Sequence, residues 1–384
     1  MIRVAYVCTD PGIPVFGRKG ASVHVQAVLR ELVRRGAEVH LVCARTGGEP
    51  APDLAGVRVH RLPEVGRAPA AERERAARAA DRAVAEVLGA LPPLDLVYER
   101  YALWGRTATA WAAGRGVPAV LEVNAPLVEE QAAHRELVDR AGAEAVARAA
   151  LSAAPVVVCV SDAVADWARA TSAYPERVVV LPNGVDTDRV VPSGLPARPA
   201  DAAEFTVGFV GTLKEWHGVD VLLRAVDRLH ARDASWRLLV VGDGPCGPAL
   251  RAAAGPHVAF TGALAPAEVL PQLHRMDVAA APYPDLPGLY FSPLKLYEYL
   301  AAGVPVVASA VGQVPGALGG GRLGALVPPG DAGALAAALA DLRADAPGRA
   351  RLAAEGRRAA EERHTWRAVV ERTLAHARLA GVAR

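Results

Sequence analysis

A short stretch in the second half of the chain carries the residue types needed to hold a phosphate beside a hydroxyl-bearing group. In YPDLPGLYFSPLKLYEYLAAG, residues 283–303, a Pro/Gly loop meets Ser292 and Pro293, an apolar-rich run follows, and Gly303 ends it. Serine at an N-cap accepts a bond from an orphan backbone N–H, and proline at the first helical position has the right φ and no N–H to lose. The pattern predicts a helix with Ser292 at its N-cap and Pro293 and Leu294 in its first turn. Such a helix end offers free N–H groups and a partial positive charge to an anion. Lys295 lies in that first turn, where the dipole disfavours a cation unless something negative joins it. Glu298 follows one turn on, points to the same side, and suits a pair of neighbouring hydroxyls. Tyr290 and Phe291 precede the turn within an aromatic cluster with Tyr283, Tyr297 and Tyr299. Helical spacing assigns Tyr297 or Tyr299 to core packing.

Lysine is rare here, with Lys19, Lys214 and Lys295 against forty arginines. All three fall in or beside Gly- or Pro-containing loops that precede helices. A compact ammonium suits sites where a guanidinium does not fit, so Lys214 and Lys295 are read as functional and Lys19 only by position. Lys214 stands in Gly211-Thr212-Leu213-Lys214-Glu-Trp-His217-Gly218, and further glycine turns carry Gly242, Gly244 and Gly262. Turns between strands and helices need glycine for backbone reasons alone, so no one of these turns is diagnostic. In the first half, Lys19, Gly20 and His24 follow the first strand, while Glu122 and Asn124 end a later one.

The elements that position these residues alternate. Residues 2–8 and 39–43 read as buried strands flanking a helix over 22–35, whose apolar residues Val25, Val28, Leu29 and Leu32 keep helical spacing. Strands follow at 94–98, 119–123 and 156–160, and 127–151 reads as a long charged helical segment. After a Pro/Ala-rich stretch at 189–204 the alternation restarts with strands at 206–210, 237–241, 258–261, 278–281 and 305–308. The predicted class is α/β: two Rossmann-like domains with parallel sheets, facing one another across a cleft lined by the carboxyl edges of their strands. The divisions are an N-terminal domain over 1–188, a linker over 189–204, a C-terminal domain over 205–365, and a final helix over 366–384 packing back on the first domain.

At 384 residues both domains can bury a core. The net charge of +2 offers no field for nucleic acid. The helix over 71–88 balances four arginines with four carboxylates, so it reads as a solvated face. Peripheral membrane contact through separate arginines stays open. Four scattered cysteines form no metal-ligand spacing, and no apolar run reaches the ~18 residues that span a bilayer. A cytoplasmic protein, monomer or homodimer, is expected.

Taken in order, Pro182-Asn-Gly-Val-Asp186, Gly211 to Gly218, Val241-Gly-Asp-Gly-Pro245, Val258 to Gly262, Tyr290 to Gly303 and Gly324 to Asp331 resemble the family 4 retaining glycosyltransferases of GT-B fold. The resemblance implies a nucleoside-diphosphate sugar as donor, held mainly by the second domain, and a hydroxyl-bearing acceptor held mainly by the first. It implies no cofactor and no essential metal, because cationic side chains and a helix N-terminus neutralise the leaving diphosphate. Lys214, Lys295 and Asn124 then form the catalytic set. Gly20, Thr212, His217, Gly242, Gly244, Gly262, Tyr290, Phe291, Ser292, Pro293, Leu294 and Glu298 bind the donor, with Glu298 on the ribose. Lys19, His24 and Glu122 face the acceptor.

Four positions depart from the family pattern. Tyr290 stands where the first glutamate of E-x7-E lies, Thr212 replaces an arginine, His217 a lysine, and Asn124 a histidine near the donor sugar. His217 reaches a phosphate only if protonated or through a neutral hydrogen bond. The expected activity is transfer of a hexose-type sugar to an acceptor hydroxyl, with a UDP-sugar favoured and a small natural product or sugar as acceptor. Nucleotide-sugar epimerisation or hydrolysis, or silent nucleotide-sugar binding, are the alternatives.

Overall fold

The computed structural model describes residues 2–286 and 289–382. Contacts divide the chain into two compact units, residues 1–183 with 366–384, and residues 184–365. Unit one holds seven parallel strands: β1 Arg3–Cys8, β2 Glu38–Cys43, β3 Arg58–Arg61, β4 Leu96–Arg100, β5 Ala119–Val123, β6 Val157–Cys159 and β7 Val178–Val180. Their order is β3-β2-β1-β4-β5-β6-β7. The chain winds outward from β1 in one direction and restarts at β4 in the other, so the β1/β4 boundary is the topological switch point. Its helices are α1 Gly20–Arg34, α2 Ala70–Ala90, α3 Thr107–Ala113, α4 Leu127–His134, α5 Arg140–Ala153 and α6 Asp162–Thr171. The charged segment over 127–151, read as helical, forms two helices, α4 and α5.

Unit two repeats the plan with β8 Phe205–Val210, β9 Trp236–Val241, β10 Val258–Gly262, β11 Val278–Ala281, β12 Val306–Ser309 and β13 Ala325–Val327, in the order β10-β9-β8-β11-β12-β13. Its switch point is β8/β11. The helices are α7 Val219–His230, α8 Gly247–Ala253, α9 Pro266–Leu273, α10 Leu294–Ala301, α11 Val314–Ala317, α12 Ala332–Ala344 and α13 Ala346–Arg363. Central strands such as β5, β11 and β12 are buried throughout because helices cover both faces, which is why they read as apolar runs without alternation. On α7, Val219, Leu222, Leu223, Val226 and Leu229 form the buried stripe and pack on Phe205, Val207 and Phe209.

The last helix, α14 Trp366–Val382, belongs to unit one and packs on α1. Trp366 presents its ring to His24 edge-on at 4.7 Å, and Arg35 donates to the Arg367 carbonyl. Residues 189–204 are laid against unit two and are not a free tether. Buried Arg349 donates to the carbonyls of Arg198, Leu342 and Arg343, Arg343 donates to Ala200, and Arg357 donates to Thr187 and Val190.

The helix α3 has no local cap, since Arg106 makes no side-chain bond to it. Two carboxylates from other elements serve instead. Asp81 of α2 accepts from the Arg106 and Thr107 N–H groups and the Thr107 hydroxyl, and Glu99 of β4 accepts from the Thr109 N–H at 2.8 Å. Burial, and then the Asp81 carboxylate, push Glu99 up to about 7. A carboxyl raised on folding binds its proton more tightly in the native state, so stability falls as pH climbs from the ordinary carboxylate range through 7. Glu99→Gln removes that loss. Thermal unfolding across pH should show the variant more stable than wild type by about 3 kcal/mol above pH 8 and barely different near pH 5. Equal curves at both ends would show that Glu99 ionises freely.

Candidate functional site

In unit two the loops leaving β8, β9 and β10 meet at their carboxyl ends. The Gly211 N–H donates to the Val241 carbonyl, and the Gly242 N–H to the Gly262 carbonyl. These glycines are needed for contact as well as for turning. A Cβ on Gly242 would overlap the Gly211 carbonyl, and one on Gly244 would crowd the Leu213 backbone. Beyond Gly211 the chain exposes Thr212, makes a single 3-10 turn over Glu215–His217, and enters α7 through Gly218 at φ 63°. The loop after β11 brings Tyr283 and Phe291 to the same place, their rings 5.4 Å apart. Both loops belong to the β8/β11 switch point, where open α/β sheets hold ligands.

The helix start differs from the expectation by one residue. Helix α10 begins at Leu294, Pro293 occupies the N-cap at φ −78° and ψ 107°, and no side chain caps it. Ser292 is buried, its Oγ 3.5 Å from the Tyr297 hydroxyl. The ring of Pro293 holds φ wherever it stands, so it serves as the last extended residue as readily as the first helical one. Tyr283, Tyr297 and Tyr299 are core, and the Val210 N–H donates to the Tyr299 hydroxyl at 2.8 Å.

Lys295 is the centre of this site. Its side chain reaches under the β8 loop, Nζ 3.9 Å from the Phe209 ring centroid and 5.6 Å from that of Tyr283. A Cβ at Gly211 would lie 2.9 Å from Nζ, so a side chain there would push the amine aside. The residue is 8% exposed, and among the described residues Nζ has no hydrogen-bond partner. Burial lowers it to about 7, opposed by Glu298 one turn away on α10. Glu298 is half-buried and raised, by burial first, with Lys295 holding it down. His217 stands between the aromatic rings of Phe209 and Tyr283, at 6.1 and 6.2 Å, and its Nδ1 bonds the Thr212 carbonyl. Burial, then Lys295 and Lys214, lower it to about 3, so its ring is neutral near pH 7. Lys214 lies over the Trp216 ring at 4.3 Å. The fold therefore gathers Lys295, Glu298, His217 and Phe291 around Gly211, with Lys214 on the outer side of the turn.

In unit one the polar residues converge on Glu122 at the end of β5. Tyr98 donates to Oε2 at 2.6 Å, while Arg100 and Asn124 donate to Oε1 at 2.9 and 2.6 Å. His24 Nε2 stands 2.8 Å from Oε1. Burial alone would raise this carboxyl, but His24, Arg100 and Tyr98 hold it far below the usual carboxylate range. Glu122, assigned to the acceptor from sequence, is thus 3% exposed with both oxygens occupied, and it positions its neighbours. His24 is likewise buried between Glu122 and Trp366. Asn124 is oriented by its bond to Glu122. Lys19 is the extended residue before α1, exposed beside Gly20. The sequence reading missed Tyr98 and Arg100, although a charged pair closing the apolar strand LVYER was the available signal.

A cavity of about 350 Å³ opens at the unit-one switch point, between the loops after β1 and β4 and the helices α2 and α4. Asp10, Arg73, Trp104, Glu130, Gln131 and Arg135 are among its lining residues. None of them was singled out from sequence, because they come from four separate loops and helices. Among the described residues, no three His, Cys, Asp or Glu side chains converge as a metal site.

Two parallel, helix-covered α/β units, each with a switch point at the carboxyl ends of its strands, make up a GT-B fold. The chain superposes on sucrose-phosphate synthase from Thermosynechococcus elongatus with a TM-score of 0.75 at 22% identity, over 100% of each chain. It superposes on WaaG, a glycosyltransferase involved in lipopolysaccharide biosynthesis, with a TM-score of 0.73 at 17% identity, over 96% of this chain and 98% of that one. Residues 18–189 match the profile described as Glycosyltransferase Family 4, and residues 204–345 that described as Glycosyl transferases group 1. A D-inositol 3-phosphate glycosyltransferase of Stackebrandtia nassauensis is 30% identical over 90% of this chain and 84% of that protein. A GDP-mannose-dependent alpha-(1-6)-phosphatidylinositol monomannoside mannosyltransferase of Mycolicibacterium smegmatis is 35% identical over 49% of this chain and 52% of its own. The chain belongs to glycosyltransferase family 4.

Proposed function

We propose that this glycosyltransferase moves a hexose-type sugar, with retention, from a nucleoside diphosphate to a hydroxyl of a small polyhydroxylated acceptor. The donor is held within residues 205–365 and the acceptor within residues 1–188. The observation that carries the donor side is Lys295 in the first turn of α10, a buried amine with no hydrogen-bond partner among the described residues. A buried cation is costly unless an anion meets it, and the leaving diphosphate is such an anion. Glu298 on the same helix accepts the ribose hydroxyls, and Lys214 adds charge at the rim. These cations take the place of a metal, so EDTA is expected to leave turnover unchanged.

A UDP-sugar is the donor we place first, and GDP-mannose, named in the mannosyltransferase relative, second. For the acceptor, the unit-one cavity supports a single six-membered ring. Trp104 forms part of its wall, Asp10 and Gln131 are suited to hydroxyls, and Arg73 and Arg135 to a phosphate such as the relatives' inositol phosphates carry. Among the described residues no helix is long and apolar enough to cross a membrane.

A thermal-shift screen of UDP-, GDP-, ADP- and dTDP-sugars identifies the donor, since the ligand bound most tightly stabilises most. Glu298→Ala should then weaken that nucleotide ~30-fold, about 2 kcal/mol, for loss of a charged acceptor. Unchanged nucleotide affinity in this variant would remove Glu298 from the ribose. Binding without transfer to any polyol or inositol phosphate would favour the silent-binder alternative.

A further inference from the structure

Resting on the donor reading above, we infer that the buried cationic partner of the diphosphate is Lys295 of α10, with Lys214 adding charge only at the rim, and that His217 reads a hydroxyl of the donor sugar. The argument begins with the imidazole. A carbonyl oxygen only accepts, so the contact from His217 Nδ1 to Thr212 places the ring proton on Nδ1. The neutral ring then presents Nε2 as a bare lone pair. Phosphate oxygens at neutral pH are also acceptors, so Nε2 and a diphosphate repel each other, whereas a sugar O–H donates to Nε2. Ribose hydroxyls are the charge of Glu298, which leaves the transferred sugar as the group His217 meets.

A second proton on His217 is opposed by burial and by two ammonium groups, and only the Thr212 carbonyl favours it. The ring is enclosed by Phe209, Tyr283 and Phe291, and Lys295 and Lys214 both repel a positive charge there. The loop's other position, Thr212, is exposed and uncharged. Lys295 has the complementary environment: its Nζ faces the Phe209 and Tyr283 rings, the Gly211 backbone and His217, and among the described residues Glu298 is the carboxylate acting on it. Burial holds this amine down to about 7. In the empty site above pH 7 it is largely uncharged, and an arriving diphosphate makes the ammonium form favourable. The proton comes from the buffer and joins the lone pair of Nζ, with no bond to the ligand made or broken. Donor binding and proton uptake are therefore coupled, and release of the nucleoside diphosphate returns the proton.

Titration calorimetry of the full chain with UDP and GDP at pH 8, in HEPES and in Tris, reads the coupling directly. The expected result is uptake approaching one proton per nucleotide, falling towards zero near pH 6. Lys295→Met should abolish the uptake and weaken the nucleotide at least 30-fold. It should unfold no earlier than wild type, because methionine fills the same buried space without an amine to desolvate. Lys295→Arg, a second variant with a fixed charge on a bulkier head group, should show no uptake at whatever affinity it retains. His217→Phe should weaken the nucleotide sugar at least tenfold more than the nucleotide alone. Uptake that persists in Lys295→Met, or equal losses for nucleotide and nucleotide sugar in His217→Phe, would overturn the inference. If wild type binds none of UDP, GDP, ADP or dTDP, the donor reading falls with it. Binding without uptake by wild type overturns the proton coupling alone.

Discussion

Replacing Glu122 by alanine is expected to destabilise unit one by about 3–5 kcal/mol, the cost of breaking a buried pair and leaving one charge unmatched. Arg100 is buried beside it and would lose its charged acceptor, and Tyr98, Asn124 and His24 would each lose a partner on the same two oxygens. Chemical denaturation of wild type and variant checks the magnitude. The pH dependence gives a second, independent test. The folded-state proton affinity of Glu122 lies well below that of a free carboxylate, so its contribution is fully present above the ordinary carboxylate range and lost as pH falls through and below it. That is opposite in sign to Glu99 on the neighbouring strand. Wild type should therefore lose more stability than Glu122→Ala between pH 5 and pH 3. Glu122→Gln, which keeps shape but not charge, should lie between the two. A loss under 1 kcal/mol at pH 7 would show that Arg100 finds water or another acceptor.

Replacing Gly218 by alanine is expected to be among the most damaging single methyls in unit two. Gly218 is left-handed at φ 63°, a conformation that costs an L residue about 1 kcal/mol. A Cβ there would also overlap the Pro282 carbonyl and press on Pro284, so the loop after β11 has to shift. Adding a forced backbone displacement to the torsional cost gives about 3 kcal/mol or more. The same shift moves Tyr283 away from His217, so donor binding should fall with stability. Gly262→Ala is the control. Its φ of 74° carries the same torsional cost, but nothing lies within 4 Å of the new methyl. Urea unfolding should give about 1 kcal/mol for Gly262→Ala and several times that for Gly218→Ala. Similar losses at both positions would mean the Pro282 loop yields at little cost.

Much of the fold was legible because its causes are local. Apolar runs at strand length, helical spacing in the stretch from Val25 to Leu32, and glycines such as Gly36 at element ends are set by residues near each other in the chain. The order of motifs, read one after another, sufficed for the family. Short elements escaped. The edge strand β3 is exposed, β7 and β13 have three residues each, and α3 is capped by Asp81 and Glu99 from outside its own segment. None of these leaves a periodic signal.

The sequence by itself determined which residues could do chemistry: a lysine and a glutamate one turn apart on a short helix after a loop, and glycines at the ends of successive strands. Tertiary structure decided what those residues are. Glu122 became a buried anchor because Tyr98, Arg100 and His24, all far from it in sequence, surround its oxygens. His217 became a neutral acceptor because Phe209, Tyr283 and Phe291 enclose it and two lysines repel a second proton. Lys295 became a buried amine without a partner because Gly211 leaves room for it under the loop. Charge state and accessibility depend on everything within a few ångströms, and those neighbours are assembled only when the sheet closes.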